Sequence, residues 1–310
     1  MLPDRFRGPV VRVIGGLLAV ATAAFVTLEL IRRWDDLSAI LRDADLAWVL
    51  ASLAVFVVAE VAFALAWPAT LRRLGHAVDT RTAAATFLVT QTAKFVPGAI
   101  WPVVGRVGTA DRLGVPKREV TAAVALETGM IVAAALLVTG LGGAASPILF
   151  DDVGPGLRAL EIVAAGAAAG AVGVGARHGA ERIAGRPLLR GRPFAEMLLW
   201  QVAVWTGYGL ATGLLSVGLD GPFTAAIGAF SLAWVAGFVV IGAPAGLGVR
   251  EAVLTAALTP TAGATTALAV AVGSRAAWTL VQLVMAGVAL PAAGAPRPIE
   301  VPADDASLPC

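Results

Sequence analysis

Long apolar stretches, separated by short loops that hold most of the charged residues, dominate the chain. A run of roughly 20 apolar residues is long enough to cross a bilayer as a helix. The pattern predicts an all-α, polytopic membrane helix bundle with about seven spanning helices. The predicted spans are residues 11–31, 46–67, 119–141, 157–176, 194–217, 222–241 and 262–290.

Two further apolar segments, 82–105 and 242–258, are each interrupted by proline and glycine. A proline removes a backbone N–H and clashes with the preceding turn, so a helix ends there. Broken backbone at membrane depth must be buried in protein or line a wet cavity. We therefore expect two re-entrant segments around a cavity. Their structural motif residues are Pro97, Gly98 and Gly105 in the first segment and Pro244, Gly246 and Gly248 in the second.

The two broken segments occupy corresponding places in an internal repeat, with halves at about 10–141 and 194–290. Each precedes a helix with one internal charge: Glu127 lies 30 residues after Pro97, and Arg275 lies 31 residues after Pro244. Paired interrupted segments of this kind indicate a transporter site at the repeat interface. We expect a single transmembrane domain over 1–290 and a disordered tail over 291–310.

Composition agrees with a membrane protein, since 58% of the residues are hydrophobic and 14% are charged. Soluble domains have about 25% charged residues. The only cysteine is Cys310, so a disulfide within the chain is excluded. The first span follows basic residues, as the apolar region of a signal peptide does. Its apolar run continues to Ile31, however, and we interpret it as a helix.

Loop charges predict the orientation, because basic loops stay in the cytoplasm. The N-terminus and the loops 72–81, 106–118 and 177–193 are basic, whereas 142–156 is acidic. We expect a plasma-membrane protein with a cytoplasmic N-terminus, in which 82–105 returns to the cytoplasmic face. The sparser charges of the second half favour the same face for 242–258 and an external tail. An inverted arrangement, with hairpins from opposite faces, stays open.

Charges inside predicted spans are candidates for chemistry, since each costs about 2.5–3.5 kcal/mol to insert. Glu127 and Arg275 form either a buried ion pair or part of a substrate site. For Glu60 we favour packing or local hydrogen bonding. Two stripes each share a helix face: Arg275, Trp278 and Gln282, and Gln201, Trp205 and Tyr208, the latter interpreted as an aromatic belt or helix contact. The candidate substrate-binding residues are Lys94, Trp101, Arg106, Glu127, Arg250, Glu251, Arg275 and Gln282.

Two motifs resemble those of a known family. KFVPGAIWPVVGR, residues 94–106, and APAGLGVREAVL, residues 243–254, are similar to the two signatures of the lysylphosphatidylglycerol synthase transmembrane region, a flippase-like family. The resemblance implies a polytopic lipid-handling domain. In the fused bacterial proteins this region flips aminoacylated phosphatidylglycerol, and a separate cytosolic domain attaches the amino acid. No such soluble domain is visible in this sequence, so synthase activity is not expected.

The sequence therefore favours a flippase-like transporter for the headgroup of an anionic or aminoacylated phospholipid, or of a polyprenyl-phosphate-linked lipid. Lys94 and Arg106 are alternatively interfacial cations whose side chains reach toward water. Alternative functions are an accessory or scaffold subunit of a cell-envelope pathway, a membrane-embedded headgroup enzyme, and a small-solute transporter. The expected partners are membrane lipids and cell-envelope biosynthetic enzymes, without nucleic acid. No metal or cofactor is expected, and Glu127 and Glu60 are candidate protonation sites.

Overall fold

The computed structural model describes residues 28, 31–32, 34–95, 101–145, 155–240 and 244–294, and all regular structure in these ranges is helical. The predicted span 11–31 lies almost wholly outside the described residues. So do Pro97, Gly98 and residues 295–310 of the predicted tail. The eleven helices of the described ranges are α1 Trp34–Arg42, α2 Leu46–Arg73, α3 Thr80–Gln91, α4 Trp101–Gly108, α5 Ala110–Leu113, α6 Lys117–Ala145, α7 Pro155–Ala184, α8 Arg192–Gly218, α9 Phe223–Val239, α10 Val249–Ala262 and α11 Ala264–Gly294.

Five of these helices, α2, α6, α7, α8 and α11, are long and apolar enough to cross a membrane. They confirm the spans predicted at 46–67, 119–141, 157–176, 194–217 and 262–290. The predicted span 222–241 corresponds to α9, which has only 17 residues and ends at Val239. Hydrophobicity alone thus located α9, but it did not show that the helix ends at a break.

The first broken segment is a hairpin made of α3, a 3₁₀ turn at Thr92–Phe95, and α4. Asp79 caps the start of α3 by accepting the backbone N–H of Thr82. The helix α4 packs back against α3. At their contact Gly105 leaves little space, since a Cβ there would lie 3.2 Å from the Cβ of Thr90.

The second hairpin is made of α9, a 3₁₀ turn at Pro244–Gly246, and α10, and its two helices also pack together. The chain reverses through three left-handed positions, with φ of 51° at Ala245, 69° at Gly246 and 80° at Gly248. Glycine tolerates this conformation without steric cost, and Ala245 is the exception. The predicted break at Pro244 is therefore confirmed, and it belongs to a hairpin that includes α9.

The two ends of the bundle differ in charge. At the basic end, Arg73 at the end of α2 pairs with Glu196 of α8, and Arg112 donates to the backbone oxygen of Ala293 in α11. At the opposite end, the N–H of Asp45 donates to the carbonyl of Gly218 at 3.0 Å. The start of α11 also lies there, because a Cβ on Gly221 would be 3.2 Å from Thr266.

These contacts place the two hairpins at opposite ends of the bundle. The first begins at the basic end, where Arg72 donates to Thr80, and returns to it before Arg112. The second begins after Gly218 and leads back to the start of α11, at the other end. The sequence-based placement of 242–258 at the basic face is therefore wrong. The helix α11 ends at the basic end, not at the opposite side as expected for the end of the span 262–290, and the tail residues 295–310 lie outside the described residues.

The 3₁₀ turns of the two hairpins contact each other inside the bundle. An aromatic core lies beside Lys94 of the first turn, with Tyr208 and Trp278 ring centroids 5.0 Å apart and Phe230 and Trp278 centroids 5.5 Å apart. Rings at such separations pack favourably in tilted or edge-to-face geometry. The fold thus brings the described 3₁₀ turns of both interrupted segments together.

A polar contact network closes the basic end. Arg186 donates to Glu119 at the start of α6 and to the carbonyl of Leu74 after α2, each at 2.8 Å. The Glu119 carboxylate beside it raises the pKa of the Arg186 guanidinium above its usual value. This contact connects the loop 185–191 to two other helices.

Candidate functional site

Glu60 of α2 lies at the centre of the bundle with 1% of its surface exposed. Its carboxylate accepts hydrogen bonds from Tyr208 Oη at 2.6 Å, Trp278 Nε1 at 3.1 Å and Gln282 Nε2 at 3.3 Å. A buried carboxylate is tolerated when donors surround it in this way. The hydrogen bonding expected for Glu60 is confirmed, but its partners lie on α8 and α11 rather than locally.

Arg275 holds the second hairpin in its broken conformation. Its Nη2 donates to the carbonyl of Ala245 at 3.0 Å, and its Nε lies 3.3 Å from Oε1 of Glu251. The other oxygen of Glu251 accepts the N–H of Gly248 at 2.6 Å, at the start of α10. Arg275 therefore satisfies a carbonyl that the helix break leaves without its usual partner.

Arg250, in the first turn of α10, has unused hydrogen-bonding capacity. Its guanidinium carbon lies 5.5 Å from the ring centroid of Trp234 and 5.6 Å from that of Trp278. Its Nε and Nη1 atoms are buried without a hydrogen-bond partner among the described residues. A buried donor without an acceptor is unfavourable by about 1–3 kcal/mol, and more when charged. This side chain is therefore suited to bind an anion.

A small cavity lies beside Arg250. It is lined in part by Glu251, Ser274, Arg275 and Trp278, and its free volume is about 20 Å³. That space holds about one water molecule. The site is closed in this conformation, and a ligand larger than water requires the surrounding helices to separate.

Lys94 reaches the same place from the tip of the first hairpin. Its Nζ lies 4.7 Å from the ring centroid of Trp278, and it interacts electrostatically with Glu60, Arg250 and Arg275. Both hairpins thus place a cation next to Trp278. We call this set the central cluster, and its charged members are Glu60, Lys94, Arg250, Glu251 and Arg275. With three basic and two acidic side chains, its formal charge is positive.

Arg106 and Glu127 form a separate buried ion pair between α4 and α6. The Arg106 guanidinium carbon also lies 4.5 Å from the ring centroid of Phe87 and 5.1 Å from that of Trp67. The alternative ion pair of Glu127 with Arg275 is therefore wrong. None of the contacts described for Arg106 or Glu127 involves the central cluster.

The remaining sequence candidates are distributed around these two groups. Glu251 and Gln282 lie in the central cluster or hydrogen-bond to it, whereas Trp101 begins α4 and is 43% exposed. The stripe of Gln201, Trp205 and Tyr208 is buried, so it is a helix contact rather than an aromatic belt. Within the described ranges, no three metal-ligating side chains come together.

Sequence reasoning underrated Glu60 and did not single out Trp234. Glu60 is the only charged residue in 46–67, and that isolation was the available signal. Trp234 lies in an apolar run without a distinguishing neighbour, and only the packing of α9 against α10 brings it to Arg250.

An all-α, multi-pass membrane bundle in which two broken hairpins bring cations together is the class of protein that this fold and site define. Within that class, residues 13–286 match the family described as lysylphosphatidylglycerol synthase TM region, and the chain belongs to this family. The resemblance of the two motifs is thereby confirmed. Among curated proteins, no sequence matches the chain significantly.

Proposed function

We propose that this protein is a flippase-like transporter that moves the headgroup of an anionic or aminoacylated phospholipid, or of a polyprenyl-phosphate-linked lipid, across the membrane. The acyl or prenyl tails stay in the bilayer while the headgroup passes through the central cluster. The protein acts without synthase chemistry, and its partners are membrane lipids and, in the cell, envelope-biosynthetic enzymes.

In this proposal both hairpins are re-entrant, the first from the cytoplasmic face and the second from the external face. The basic end is cytoplasmic, because positively charged loops are retained on that side. The opposed hairpins fit an inverted repeat, in which the substrate site lies where the two halves meet near the membrane midplane. The contact between the two 3₁₀ turns supports this location.

The observation that carries the proposal is the buried, incompletely bonded guanidinium of Arg250. A guanidinium donates two parallel hydrogen bonds to a phosphate, so Nε and Nη1 are suited to a headgroup phosphate. Arg275 is already bonded to Ala245 and Glu251 and acts by positioning the hairpin. Lys94 adds positive charge, and Glu60 is suited to the ammonium group of an aminoacylated headgroup.

Transport requires the hairpins to separate, because the cavity of about 20 Å³ is far smaller than any headgroup. Opening toward one face at a time exposes Arg250 alternately to the two leaflets. Such alternating access moves one repeat against the other around a fixed site.

The test is a flip assay on purified protein in liposomes with fluorescent lipids of several headgroups. Wild type is expected to exceed empty liposomes, and Arg250→Ala is expected to lose about tenfold or more, the effect of roughly 1.4 kcal/mol. Arg250→Lys retains the charge without the planar fork and is expected to lose less. Arg190→Ala, on an exposed loop, is the matched control.

Wild-type flipping equal to that of empty liposomes for every headgroup would reject the proposal. Normal flipping by the Arg250→Ala variant would show that Arg250 is not part of the headgroup-binding site. If the Arg250→Ala protein also replaces the wild-type protein fully in cells, a scaffold role is favoured over transport.

A further inference from the structure

An apolar groove runs along the outer side of the contact between α2 and α8, with a volume of about 490 Å³. Small side chains form its floor and larger ones form its walls; among them are Ala59, Ala62, Ala203, Gly207, Val58 and Leu199. Both helices are long and apolar enough to span a membrane, and Val58 and Leu199 are more than half exposed, so the described part of the chain leaves the groove open on the outer side of the bundle. Its apolar lining suits hydrocarbon better than water, which would find almost no polar partner there.

The basic end of the groove carries a charged triad. Glu196 lines the groove and is held by Arg73 at 2.8 Å and by Arg192 at 2.8 Å. Two guanidinium groups share one carboxylate, so the triad has a net positive charge. All three side chains are at least one-third exposed, as expected at headgroup depth. This charge favours a lipid with an anionic headgroup.

The inner side of the same helix pair faces the central cluster. Ala59 and Gly207 touch the groove, and their chain neighbours Glu60 and Tyr208 form the 2.6 Å hydrogen bond inside the bundle. A Cβ on Gly207 would lie 3.2 Å from the Cβ of Ala59, so the two helices pack closely at this level. One layer of small side chains separates the groove from the cluster.

We propose that this groove docks one acyl chain of an anionic glycerophospholipid from the leaflet at the basic end, with the phosphate at Arg73 and Arg192. The docked lipid is the one that next passes between α2 and α8 into the central cluster. This second step rests on the proposed transport function, whereas the docking itself does not.

The docking is tested by photo-crosslinking in liposomes that contain phosphatidylglycerol with a diazirine on one acyl chain. In the full-length protein, peptides that contain Val58, Leu199 and Ala203 are expected to be labelled more strongly than peptides from the exposed face of α11 around Val288. Ala203→Trp fills the groove and is expected to reduce this labelling about tenfold, equivalent to about 1.4 kcal/mol of binding. Val288→Trp, on a lipid-facing position that is 78% exposed, is the matched control.

Labelling that is equal in the groove and on α11, or unchanged by Ala203→Trp, would overturn the docking site. Two other occupants are tested with engineered cysteines in a Cys310→Ser background. A disulfide between Val58→Cys and a cysteine within 11–31 would show that this chain covers its own groove. Efficient Val58→Cys dimers would show that a second copy does so, and either result overturns the lipid proposal.

The flip assay separates the docking step from transport. If wild type flips lipid and Ala203→Trp loses both labelling and flipping, the groove is the route to the cluster. If labelling is lost and flipping stays normal, the route is overturned. If wild type does not flip at all, the transport function fails, and the labelling result alone decides whether the lipid docks.

Discussion

The two arginines of the motifs, Arg106 and Arg250, have different electrostatic surroundings. Arg106 has a carboxylate of its own, Glu127, and two flanking aromatic rings. Arg250 has two aromatic rings, and the nearby carboxylate of Glu251 already contacts Arg275. Both arginines have a buried Nε without a hydrogen-bond partner among the described residues, but Arg250 also lacks one at Nη1 and has no carboxylate of its own, which favours a ligand there. This contrast leads to separate predictions for the two positions.

For the Arg106–Glu127 pair we predict a strong loss of stability on breaking it. Arg106→Ala leaves a carboxylate that is 1% exposed without its partner, which costs about 3–5 kcal/mol. Arg106→Met combined with Glu127→Leu removes both charges and is expected to lie closer to wild type. Thermal unfolding in detergent, followed by circular dichroism, measures the difference.

The double variant also tests the binding role predicted for these residues. If it folds and flips lipid normally, Arg106 and Glu127 act in stability alone. Folding with a loss of flipping would instead make them part of the substrate route.

At Glu60 we predict that Glu60→Ala is markedly less stable than Tyr208→Phe. The first change leaves the donors of Tyr208, Trp278 and Gln282 without their acceptor, at about 1–3 kcal/mol for each unsatisfied group. The second removes one donor and leaves two in place. Equal midpoints of thermal unfolding for the two variants would contradict this network.

Helical spacing was sufficient to place Arg275, Trp278 and Gln282 on one face of α11. Helical spacing could not assign the ion-pair partner of Glu127, because it does not show whether Arg106 or Arg275 lies beside Glu127 in the folded bundle. The choice depends on how α4 folds back toward α6, which no local sequence feature specifies.

At the scale of elements, the second hairpin depends on its glycines for two different reasons. Gly246 has a φ of 69°, and a Cβ there would lie 2.7 Å from Nε of Arg250. Gly263, between α10 and α11, has a φ of 75°, but a Cβ added there would meet no atom within 4 Å. Both positions have positive φ, but only at Gly246 would a Cβ meet Arg250, and it would also lie 3.0 Å from the Cα of Gly237.

We therefore predict that Gly246→Ala and Gly263→Ala both lose stability, about 1–3 kcal/mol each from their positive-φ backbone. Only Gly246→Ala is expected to impair flipping, since the added methyl group displaces the guanidinium. Thermal unfolding and the liposome assay are measured on both variants. Equal flipping rates would show that the position of Arg250 does not matter for transport.

The sequence located both breaks through their Pro and Gly residues, but it assigned the partner helices of the second hairpin incorrectly. The apolar run at 222–241 is long enough for a span, and nothing within it indicates where the helix ends. Only the structure shows why residue 237 is a glycine: a Cβ there would lie 2.9 Å from Nε of Arg250.

At the scale of the whole molecule, the opposed hairpins fix which chain segments share a side of the membrane. We predict that cysteines replacing Gly108 and Gly294 react with an impermeant reagent from one side, and a cysteine replacing Thr261 from the other. The Cys310→Ser background removes the only native thiol. Reaction of Thr261→Cys on the same side as Gly108→Cys would instead support an arrangement in which both hairpins enter from the same face of the membrane.

Charge distribution predicted the first half of this arrangement because its loops contain many arginines. The second half has few loop charges, so the positive-inside rule could not assign the orientation of its helices. Contacts such as that of Arg112 with Ala293 resolve the question, and they join residues 181 positions apart. Long-range contacts of this kind are set by the packing of the complete bundle.

The position of Trp278 between two cations has a practical consequence. Its indole lies 4.7 Å from the Lys94 ammonium and 5.6 Å from the Arg250 guanidinium, measured from the ring centroid. Indole emission responds to nearby charge, so an arriving phosphate that draws either cation away changes the colour of the fluorescence. Trp278, one of eight tryptophans, thus contributes an optical signal of occupancy to a titration with unlabelled lipid, without an added dye.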